Sequence, residues 1–470
     1  LDFDSFGAVA GAGAGIVFLL SLVGFGAKAG LMPMHVWLPE AHPAAPSHVS
    51  AVMSGVMIKT GIYGLIRVLT FLDAPPAWYG WTLLGIGVVS GVLGVLFALA
   101  QHDLKRLLAY HSVENIGIIT IGLGVGLLGV TFGNGLLAFL GFAGALLHVV
   151  NHALFKSLLF LSAGSVLHAT GTREMDHLGG LLKRMPVSGL AFLVGAAAIC
   201  GLPPLNGFVS EFMIYLGALS AVTDSTPALC VAGVAVIGAL ALIGGLAAAC
   251  FTKAFGVVFL GEGRSSHVEH AHEAGLAMRI PLVMLAGLCL AIGLAGPIAV
   301  AVAAPAVGIV TSSWHVALAP GLPGGTGMAL WGIMIGAAAI LGLAAALLLA
   351  RARLLSGRPV TEAGTWDCGY AAPTARMQYT SSSFAQPITW FFTFFLRTRR
   401  RLSAPDGLFP AASSFSSDTP DVYREQVYKP VFSALEAALS KFRWLQHGRL
   451  NLYILGVIVA LVVLLAWKMR

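Results

Sequence analysis

Four charged side chains interrupt long apolar stretches of this chain. Lys28, Lys59, Lys156 and Glu211 each have almost wholly apolar neighbours in the sequence. A lone charge at the centre of a bilayer-spanning helix costs about 2.5–3.5 kcal/mol on insertion scales. Such a residue therefore needs a buried partner or water inside the membrane. Because they occur in consecutive apolar segments, these residues predict a route for ions or protons.

The composition agrees with a membrane location. Of 470 residues, 57% are hydrophobic and 10% are charged, and the mean hydropathy is +0.87, whereas a soluble domain has about 25% charged residues. The 58 glycines suit helices that pack closely in lipid. We expect an all-α, polytopic bundle of about ten spans, each long enough to cross the hydrocarbon core. They are placed near 8–30, 48–71, 82–100, 108–129, 136–168, 187–221, 228–259, 281–304, 327–350 and 450–467.

Two of these helices are expected to be broken. The first runs into Pro33 and Pro39, and the sixth is interrupted by the Gly-Leu-Pro-Pro run at 201–204. Proline removes a backbone donor and clashes with the preceding turn. Inside a membrane such a break is tolerated where protein or a water-filled cavity satisfies the freed groups. Paired broken helices are typical of transporters.

The distribution of basic residues predicts the orientation. Loops that would share one face, together with the segment after residue 351, are rich in Lys and Arg, while the loops near 72–81, 130–135, 222–227 and 305–326 contain none. The basic face is therefore expected to be cytoplasmic, with Leu1 and Arg470 on the outer face. The net charge of +7 reflects this topology and gives no support to nucleic-acid binding. Since the chain has no initiator Met, we expect it to be the C-terminal part of a longer protein.

The cysteines do not suggest a metal or redox centre. Cys200, Cys230, Cys250 and Cys289 lie in apolar segments, Cys368 lies outside them, and no two form a CxxC pair. We interpret them as small core residues and expect neither a metal site nor a cofactor in this chain.

Residues 351–449 are expected to form one polar insertion on the cytoplasmic face. Its part from 365 to 387 suggests an ordered loop, and 388–401 suggests a helix end at a lipid surface. Asp421–Gln446 is predicted to be helical, since Phe432, Leu435, Leu439 and Phe442 form one apolar stripe. That helix either braces the bundle or a neighbouring subunit along the membrane, or merely tethers the last span.

His148, His152 and Lys156 are candidate proton carriers. Their i, i+4, i+8 spacing puts them on one helix face, along about 12 Å of helix. Imidazoles and a desolvated amine can exchange protons near neutral pH. The alternative is a set of hydrogen-bonded core residues.

The other charges in the apolar stretches have alternatives too. Lys59 lies about ten residues from either end of its helix, too far to reach the interface. Lys28 is nearer a helix end and can reach it more easily. Glu211 follows the second break and either exchanges protons or partners a buried cation.

A second set of residues gives weaker signals. Lys253 is nearer the cytoplasmic end of its helix, where snorkelling is the default interpretation. Glu114, close to His111, is either a first-turn residue stabilised by the helix dipole or part of an input channel. His35 stands with Glu40, His42 and His48 after the first break. Their irregular spacing is weak support for a metal site and favours a hydrated, hydrogen-bonded mouth.

Three motifs resemble a known family. They are GAKAG at 26–30, PMHVWLPEAH at 33–42 and DLKRLLAY at 103–110. They are similar to the antiporter-like proton-translocating subunits of respiratory complex I, Mrp-type cation/proton antiporters and membrane-bound hydrogenases. The resemblance extends to about residue 350. HSVENIG at 111–117, WDCGY at 366–370 and RMQYTSSSF at 376–384 look most like the hydrogenase-4 and formate hydrogenlyase membrane subunits.

The resemblance implies roles for individual residues. Lys28 and Lys59 match the lysines of the first broken helix and of the next helix. His148, His152 and Lys156 match the central relay, and Glu211 matches the terminal acid or lysine of the second broken helix. In the family, Lys28 pairs with a glutamate two helices earlier, which this chain does not contain.

The resemblance also implies a domain organisation. Residues 1–71 would be the end of a first, incomplete antiporter-like repeat, and 82–259 a complete second repeat. Residues 281–350 would be accessory helices, 351–449 the insertion with its lateral amphipathic helix, and 450–470 the last transmembrane helix.

The function implied is that of a proton-translocating membrane subunit of an energy-converting oxidoreductase complex, of the group-4 hydrogenase or complex I-like type. This chain would hold no redox centre, and partner subunits would carry iron–sulfur clusters and nickel–iron. Its partners would be the lipid bilayer, other membrane subunits and a peripheral redox arm, in a prokaryotic inner (cytoplasmic) membrane. Two alternatives remain, a subunit of an Mrp-type Na⁺/H⁺ antiporter and a transport-inactive membrane anchor.

Overall fold

The architecture comes from a computed structural model of the chain. It describes residues 10–224, 226–314, 316, 326–359, 369, 372, 374–375, 377–407, 413–443, 448 and 450–468. Several residues named above lie outside this set: Leu1, Trp366, Asp367, Cys368, Tyr370, Arg376, Gln446 and Arg470. Two compact units make up the chain, residues 1–419 and residues 420–470.

The first unit is almost entirely helical. Its first half contains α1 (Gly11–Ala29), α2 (Leu38–Ala44), α3 (Ser47–Val52), a π-helical turn (Met53–Met57), α4 (Ile58–Leu69), α5 (Ala77–Leu99), α6 (Leu104–Thr131) and α7 (Gly135–Thr170). It continues with a 3-10 turn (Met175–His177), α8 (Leu181–Arg184), α9 (Pro186–Ile199), α10 (Asn206–Val222), α11 (Pro227–Phe259) and a second 3-10 turn (Ser266–Val268). It ends with α12 (Leu276–Leu294), α13 (Gly296–Thr311), a 3-10 turn (Ser312–Trp314), α14 (Thr326–Leu355), α15 (Ser381–Phe391), α16 (Thr393–Leu396), β1 (Arg399–Ser403) and β2 (Ser414–Asp418).

The second unit contains a π-helical turn (Arg424–Tyr428), α17 (Lys429–Ser440) and α18 (Leu450–Lys468). The Asp421 carboxylate accepts from the backbone amides of Tyr423 and Arg424 at 3.0 and 3.1 Å, which starts the helical segment. The expected amphipathic helix is therefore present, and Phe432, Leu435 and Leu439 recur along it at three- and four-residue steps.

The predicted polytopic, all-α class is confirmed. Within the described residues, eight helices are long and apolar enough to cross a membrane: Ser47–Leu69, Ala77–Leu99, Leu104–Thr131, Gly135–Thr170, Pro227–Phe259, Leu276–Leu294, Gly327–Leu355 and Leu450–Lys468. Shorter apolar helices at Gly13–Ala29, Pro186–Ile199, Asn206–Val222 and Gly296–Thr311 complete the bundle. All ten expected spans correspond to helices in this set.

Glycine lets α5 and α6 pack with their backbones in contact. A Cβ on Gly117 would lie 2.5 Å from the Gly91 nitrogen, and one on Gly94 would lie 2.7 Å from the Glu114 nitrogen. A Cβ on Gly87 would lie 2.7 Å from the Ile121 nitrogen. Such small-residue contacts replace the hydrophobic driving force that helices lack in lipid. They make α6 the most buried span of the bundle.

Both expected breaks are present. Between α1 and α2, the Met32 amide donates to Ser90 Oγ of α5 at 3.0 Å, and the Trp37 indole donates to the Ala27 carbonyl at 2.8 Å. Between α9 and α10, a Cβ on Gly207 would lie 1.9 Å from the Ala198 carbonyl oxygen. Side chains and close packing thus satisfy backbone groups that the breaks leave without helical partners.

The expected helix at 281–304 is wrong in its extent. The structure has α12 up to Leu294, a junction at Ala295, and then α13, with Pro297 in its first turn. Proline starts a new helix readily because its missing N–H would have no partner there. A Cβ on Gly293 would lie 1.9 Å from the Pro204 carbonyl oxygen, so α12 covers the second break.

The expected loop up to Pro387 is also partly wrong, because α15 begins at Ser381. Thr380 caps it: its hydroxyl accepts from the Ser383 amide, and Ser383 Oγ accepts from the Thr380 amide, as in a capping box. The chain then forms an antiparallel hairpin in which Arg399 pairs with Asp418 and Leu402 with Phe415. All five residues of β1 are exposed, so no alternating apolar pattern marked this strand.

Candidate functional site

Lys59 lies at the junction between the π-helical turn and α4. Its side chain is only 7% exposed, and its ammonium donates to the Ser54 carbonyl within the π turn. The Ser54 hydroxyl in turn lies 2.9 Å from Ser112 Oγ of α6. π-Turns inside membrane helices are frequent at functional positions. The structure therefore holds this lysine inside the protein, as its distance from the helix ends predicted.

The α7 face carries three buried basic side chains. His148, His152 and Lys156 are each 0% exposed, and the two imidazole rings lie nearly parallel with centroids 6.4 Å apart. The Lys156 ammonium lies 5.7 Å from the centre of the Phe160 ring. Neither the His152 nitrogens nor Lys156 Nζ has a hydrogen-bond partner among the residues that the structure describes. Such buried, unpartnered donors mark a site for exchange rather than for static bonding.

His111 and Glu114 form a buried ion pair on α6. The His111 Nδ1 contacts Glu114 Oε2 directly, and both side chains are at most 1% exposed. The first-turn interpretation of Glu114 is wrong because Asp103 caps α6 and starts it at Leu104. Glu114 therefore lies in the third turn, well inside the membrane segment.

A hydrogen-bonded cluster joins α6, α7 and α10. His148 Nε2 lies 3.1 Å from Asn115 Oδ1, and His148 Nδ1 lies 2.9 Å from Ser210 Oγ. Asn151 Nδ2 donates to the Asn206 carbonyl at 2.8 Å, and Asn206 Nδ2 donates to the Asn151 carbonyl at 3.3 Å. No sequence pattern marked these residues, since single Ser and Asn residues in apolar helices usually bond only their own backbone.

Glu211 lies one residue beyond Ser210, in the second turn of α10, and is half-buried. Its carboxylate rests against Gly201 in the break, where a Cβ would lie 2.6 Å from Oε2. Gly201 has a φ of +63°, which favours glycine. The break therefore positions this acid directly.

The snorkelling interpretation of Lys253 is wrong. Its side chain is 1% exposed, and its ammonium donates to the carbonyls of Leu99 and Gln101 at 2.5 and 2.8 Å. These carbonyls follow the end of α5, where they have no helical partner. The lysine therefore caps α5, a role that only the packing of α11 on α5 could reveal.

The residues of the first break are dispersed. Lys28, in the last turn of α1, is exposed, whereas His35 and His42 are fully buried. His42 stacks on Phe160 with ring centroids 4.6 Å apart, next to Lys156. Glu40 lies at the surface, 2.9 Å from the Arg106 guanidinium, and His48 is exposed. These residues do not crowd a single mouth, and in the described part of the chain no three His, Cys, Asp or Glu residues converge on a metal position.

Electrostatic interactions connect the buried groups into one line. Lys59 interacts with Lys156, Lys156 interacts with Glu114, and Glu114 interacts with Glu211. His152 interacts with both Lys59 and Lys156, and His111 interacts with Lys253. In a low-dielectric interior, a charge added at one of these groups changes the proton affinity of the next.

Comparisons with known proteins agree with this arrangement. The sequence profile described as NADH:quinone oxidoreductase/Mrp antiporter, TM, matches residues 6–238. The chain is 39% identical to hydrogenase-4 component B of Escherichia coli K12, over 99% of this chain and 71% of that protein. It is 42% identical to formate hydrogenlyase subunit 3 of the same organism, over 60% of this chain and 46% of that protein.

Solved structures share the fold. One chain of the membrane-bound sulfane sulfur reductase, an archaeal respiratory membrane complex, superposes with a TM-score of 0.66 at 24% identity and covers 96% of this chain and 68% of its own. One chain of the Mrp complex from Dietzia sp. DQ12-45-1b gives a TM-score of 0.57 at 23% identity, covering 70% and 64%. From its sequence and its buried charges alike, this chain belongs to the family of NADH:quinone oxidoreductase/Mrp antiporter membrane subunits, in the branch that includes hydrogenase-4 component B and formate hydrogenlyase subunit 3.

Proposed function

We propose that the chain is a proton-translocating membrane subunit of an energy-converting oxidoreductase complex of the group-4 hydrogenase type. One observation carries the proposal: the electrostatic line from Lys59 through Lys156 and Glu114 to Glu211 runs along side chains of four helices inside the bundle. Keeping these charges inside the membrane is costly. The cost is understandable if the charges serve transport.

The proposed mechanism passes a change of charge from one group to the next. Like charges about 10 Å apart interact by about 1.5 kcal/mol at an effective dielectric near 20, roughly one pKa unit. Each step can therefore move a proton without large helix motions. Lys28 would receive the first bias, Lys59 and Lys156 would follow, with His148 and His152 as carriers between them, and Glu211 would release the proton.

The accessory residues take different parts. The buried His111–Glu114 pair is proposed to link Lys156 to Glu211, since Glu114 interacts with both. His35, buried after the first break, is proposed to contribute on the side of Lys28. Lys253 interacts with His111, but its two carbonyl bonds favour a structural part.

The redox chemistry is proposed to occur in partner subunits that carry iron–sulfur clusters and nickel–iron. The relatives are a hydrogenase component and a formate hydrogenlyase subunit by name, which supports other membrane subunits and a peripheral redox arm as partners. The bacterial relatives support a prokaryotic cytoplasmic membrane as the location.

The decisive experiment uses Lys156. In the complete complex reconstituted in vesicles, Lys156→Ala should abolish proton translocation and leave the hydrogen chemistry of the partner largely intact. Lys156→Arg should behave like Lys156→Ala, because a guanidinium keeps its charge but does not release a proton. Lys183→Ala, which removes an exposed lysine paired with Glu262, is the matched control. Normal pumping by both Lys156 variants would refute the proposal.

Membership of an Na⁺/H⁺ antiporter complex is the second candidate. The large Na(+)/H(+) antiporter protein of Alkalihalophilus pseudofirmus is 36% identical over 58% of this chain, which corresponds to 34% of that protein. Co-purification of nickel and iron–sulfur proteins with the chain would favour the hydrogenase complex. Sodium-dependent proton flux without such partners would favour the antiporter.

A further inference from the structure

The hydrogen bonds around His148 determine which of its two nitrogens can exchange a proton. Asn115 Nδ2 donates to the His111 carbonyl at 2.7 Å, which fixes the orientation of the amide. Asn115 Oδ1 therefore faces His148 Nε2 at 3.1 Å. An amide oxygen only accepts, so Nε2 must carry a hydrogen. In the neutral imidazole this leaves the lone pair on Nδ1, the nitrogen that faces Ser210.

Ser210 has two acceptors for its single hydroxyl hydrogen. Its Oγ lies 2.9 Å from His148 Nδ1 and 3.0 Å from the Gly207 carbonyl oxygen. Asn151 Nδ2 donates to the same Oγ at 3.1 Å. Because a hydroxyl oxygen accepts twice and donates once, both orientations of the O–H satisfy every group in the cluster.

We propose that Ser210 and Asn115 are positioning residues that make Nδ1 of His148 the exchanging nitrogen and convert its protonation into a rotation of the Ser210 hydroxyl. When His148 is neutral, the Ser210 O–H donates to Nδ1. When a proton binds at Nδ1, the imidazolium N–H donates to Ser210 Oγ, and the O–H turns to the Gly207 carbonyl. No heavy atom has to move, since all these distances already hold in one structure.

The inference rests on the proposed function and extends it to the start of α10. Ser210 and Gly207 lie in the first turns after the second break, next to Glu211 in the chain. The hydroxyl dipole therefore reverses beside that carboxylate whenever His148 changes its charge. The other ionisable groups around His148 are Lys59 of α4, His111 and Glu114 of α6, His152 and Lys156 of α7, and Glu211 of α10.

The first test needs no variant of this cluster. In the intact complex labelled with ¹⁵N-histidine, the His148 signals are assigned by subtraction of a His148→Gln spectrum. At a pH where His148 is neutral, we expect the Nε2–H tautomer with a hydrogen-bonded Nδ1. The Nδ1–H tautomer, or an imidazolium that persists at every pH tested, would overturn the proposal without touching the role of Lys156.

The second test compares two serines of the same helix. Ser210→Ala should slow translocation by about tenfold, as expected for loss of an oriented hydrogen bond to a charged group, and should shift the Nδ1 resonance of His148. Ser210→Thr keeps the hydroxyl and should restore both. Ser220→Ala removes a hydroxyl that likewise bonds the carbonyl three residues earlier, at 2.8 Å, and should change neither. Normal transport and an unshifted resonance in Ser210→Ala would refute the proposal, while Lys156→Ala would still decide the function.

Discussion

The ammonium of Lys59 and the backbone carbonyl of Ser54 form a hydrogen bond inside the π-helical turn that precedes α4. This turn also carries Gly55, the residue on which α7 packs. A Cβ on Gly55 would lie 2.3 Å from Ser157 Oγ and 3.3 Å from the Ala153 carbonyl oxygen. The position of the lysine relative to α7 therefore depends on the absence of a side chain next to its anchor.

Gly55→Ala should displace the π turn from α7 and slow proton translocation by about tenfold or more, because small misplacements of reacting groups have large effects on rate. The measurement is proton flux in vesicles containing the complex. Gly85→Ala is the control, since a Cβ there meets open space within a helix, and it should leave the flux unchanged. Equal flux in the two variants would contradict the importance of this contact.

Gly201→Ala should impair the acid of the second break. The new Cβ would approach Glu211 Oε2 to 2.6 Å, and the φ of +63° would add about 1–2 kcal/mol of backbone strain. Gly171→Ala carries the same type of strain at φ +69° with nothing within 4 Å. Both variants should lose similar thermal stability, but only Gly201→Ala should lose proton flux. Equal fluxes would show that the contact with Glu211 is irrelevant to transport.

Two substitutions of Lys253 separate its structural part from a proton-carrying one. Lys253→Arg keeps donors for the Leu99 and Gln101 carbonyls but does not release a proton. We expect it to retain most of the proton flux. Lys253→Met removes both bonds and should lower stability by about 1–3 kcal/mol, as unsatisfied buried acceptors do. Loss of flux in the arginine variant at normal stability would assign Lys253 to the proton route instead.

Asp176 fastens α15 to the 3-10 turn after α7. It accepts from the Ser381 amide and hydroxyl at 2.7 and 2.6 Å, and His102 Nδ1 lies 3.5 Å away. Burial alone would raise the pKa of Asp176, but the hydrogen bonds from His102 and Ser381 outweigh it and lower the pKa from 3.8 to about 2. The lowered pKa means that the charged form stabilises the fold above pH 3.8, and that this contribution is lost as the pH falls through about 2.

Asp176→Asn should therefore lower the free energy of unfolding by about 1 kcal/mol, allowing for the partial exposure of the group. The difference from the wild type should be constant between pH 5 and 8 (about the range of maximal stability) and should shrink below about pH 4. Thermal unfolding in detergent, followed by tryptophan fluorescence, measures it. Asp406→Asn, at an exposed aspartate after β1, should show no such loss at neutral pH.

The sequence predicted the elements that lipid imposes and missed those that depend on tertiary contacts. Lys59, Lys156 and the breaks at Pro33 and Pro203 stood out because a charge or a proline in an apolar run is costly there. Ser210 and Asn115 carry no such signal, since serine and asparagine are common in membrane helices. Their importance arises only because α6, α7 and α10 bring them to both nitrogens of one imidazole.

Helix boundaries were missed for local reasons. Asp103 starts α6 four residues before the predicted helix at 108, which moved Glu114 from a helix end to the interior. An N-cap is visible in a sequence, but DLKR also fits a polar loop between two spans. The hairpin of β1 and β2 was missed because neither strand buries an alternating face.

The contact between α5 and α6 limits how the molecule can work. With the Gly91 nitrogen 2.5 Å from where a Gly117 Cβ would stand, the two helices mesh like a zip fastened along its length. Sliding one past the other would drive side chains into backbone. Motion during a transport cycle must therefore be sought in rotating hydroxyls, swinging amines and the two interrupted helices, while this pair serves as the fixed frame against which they move.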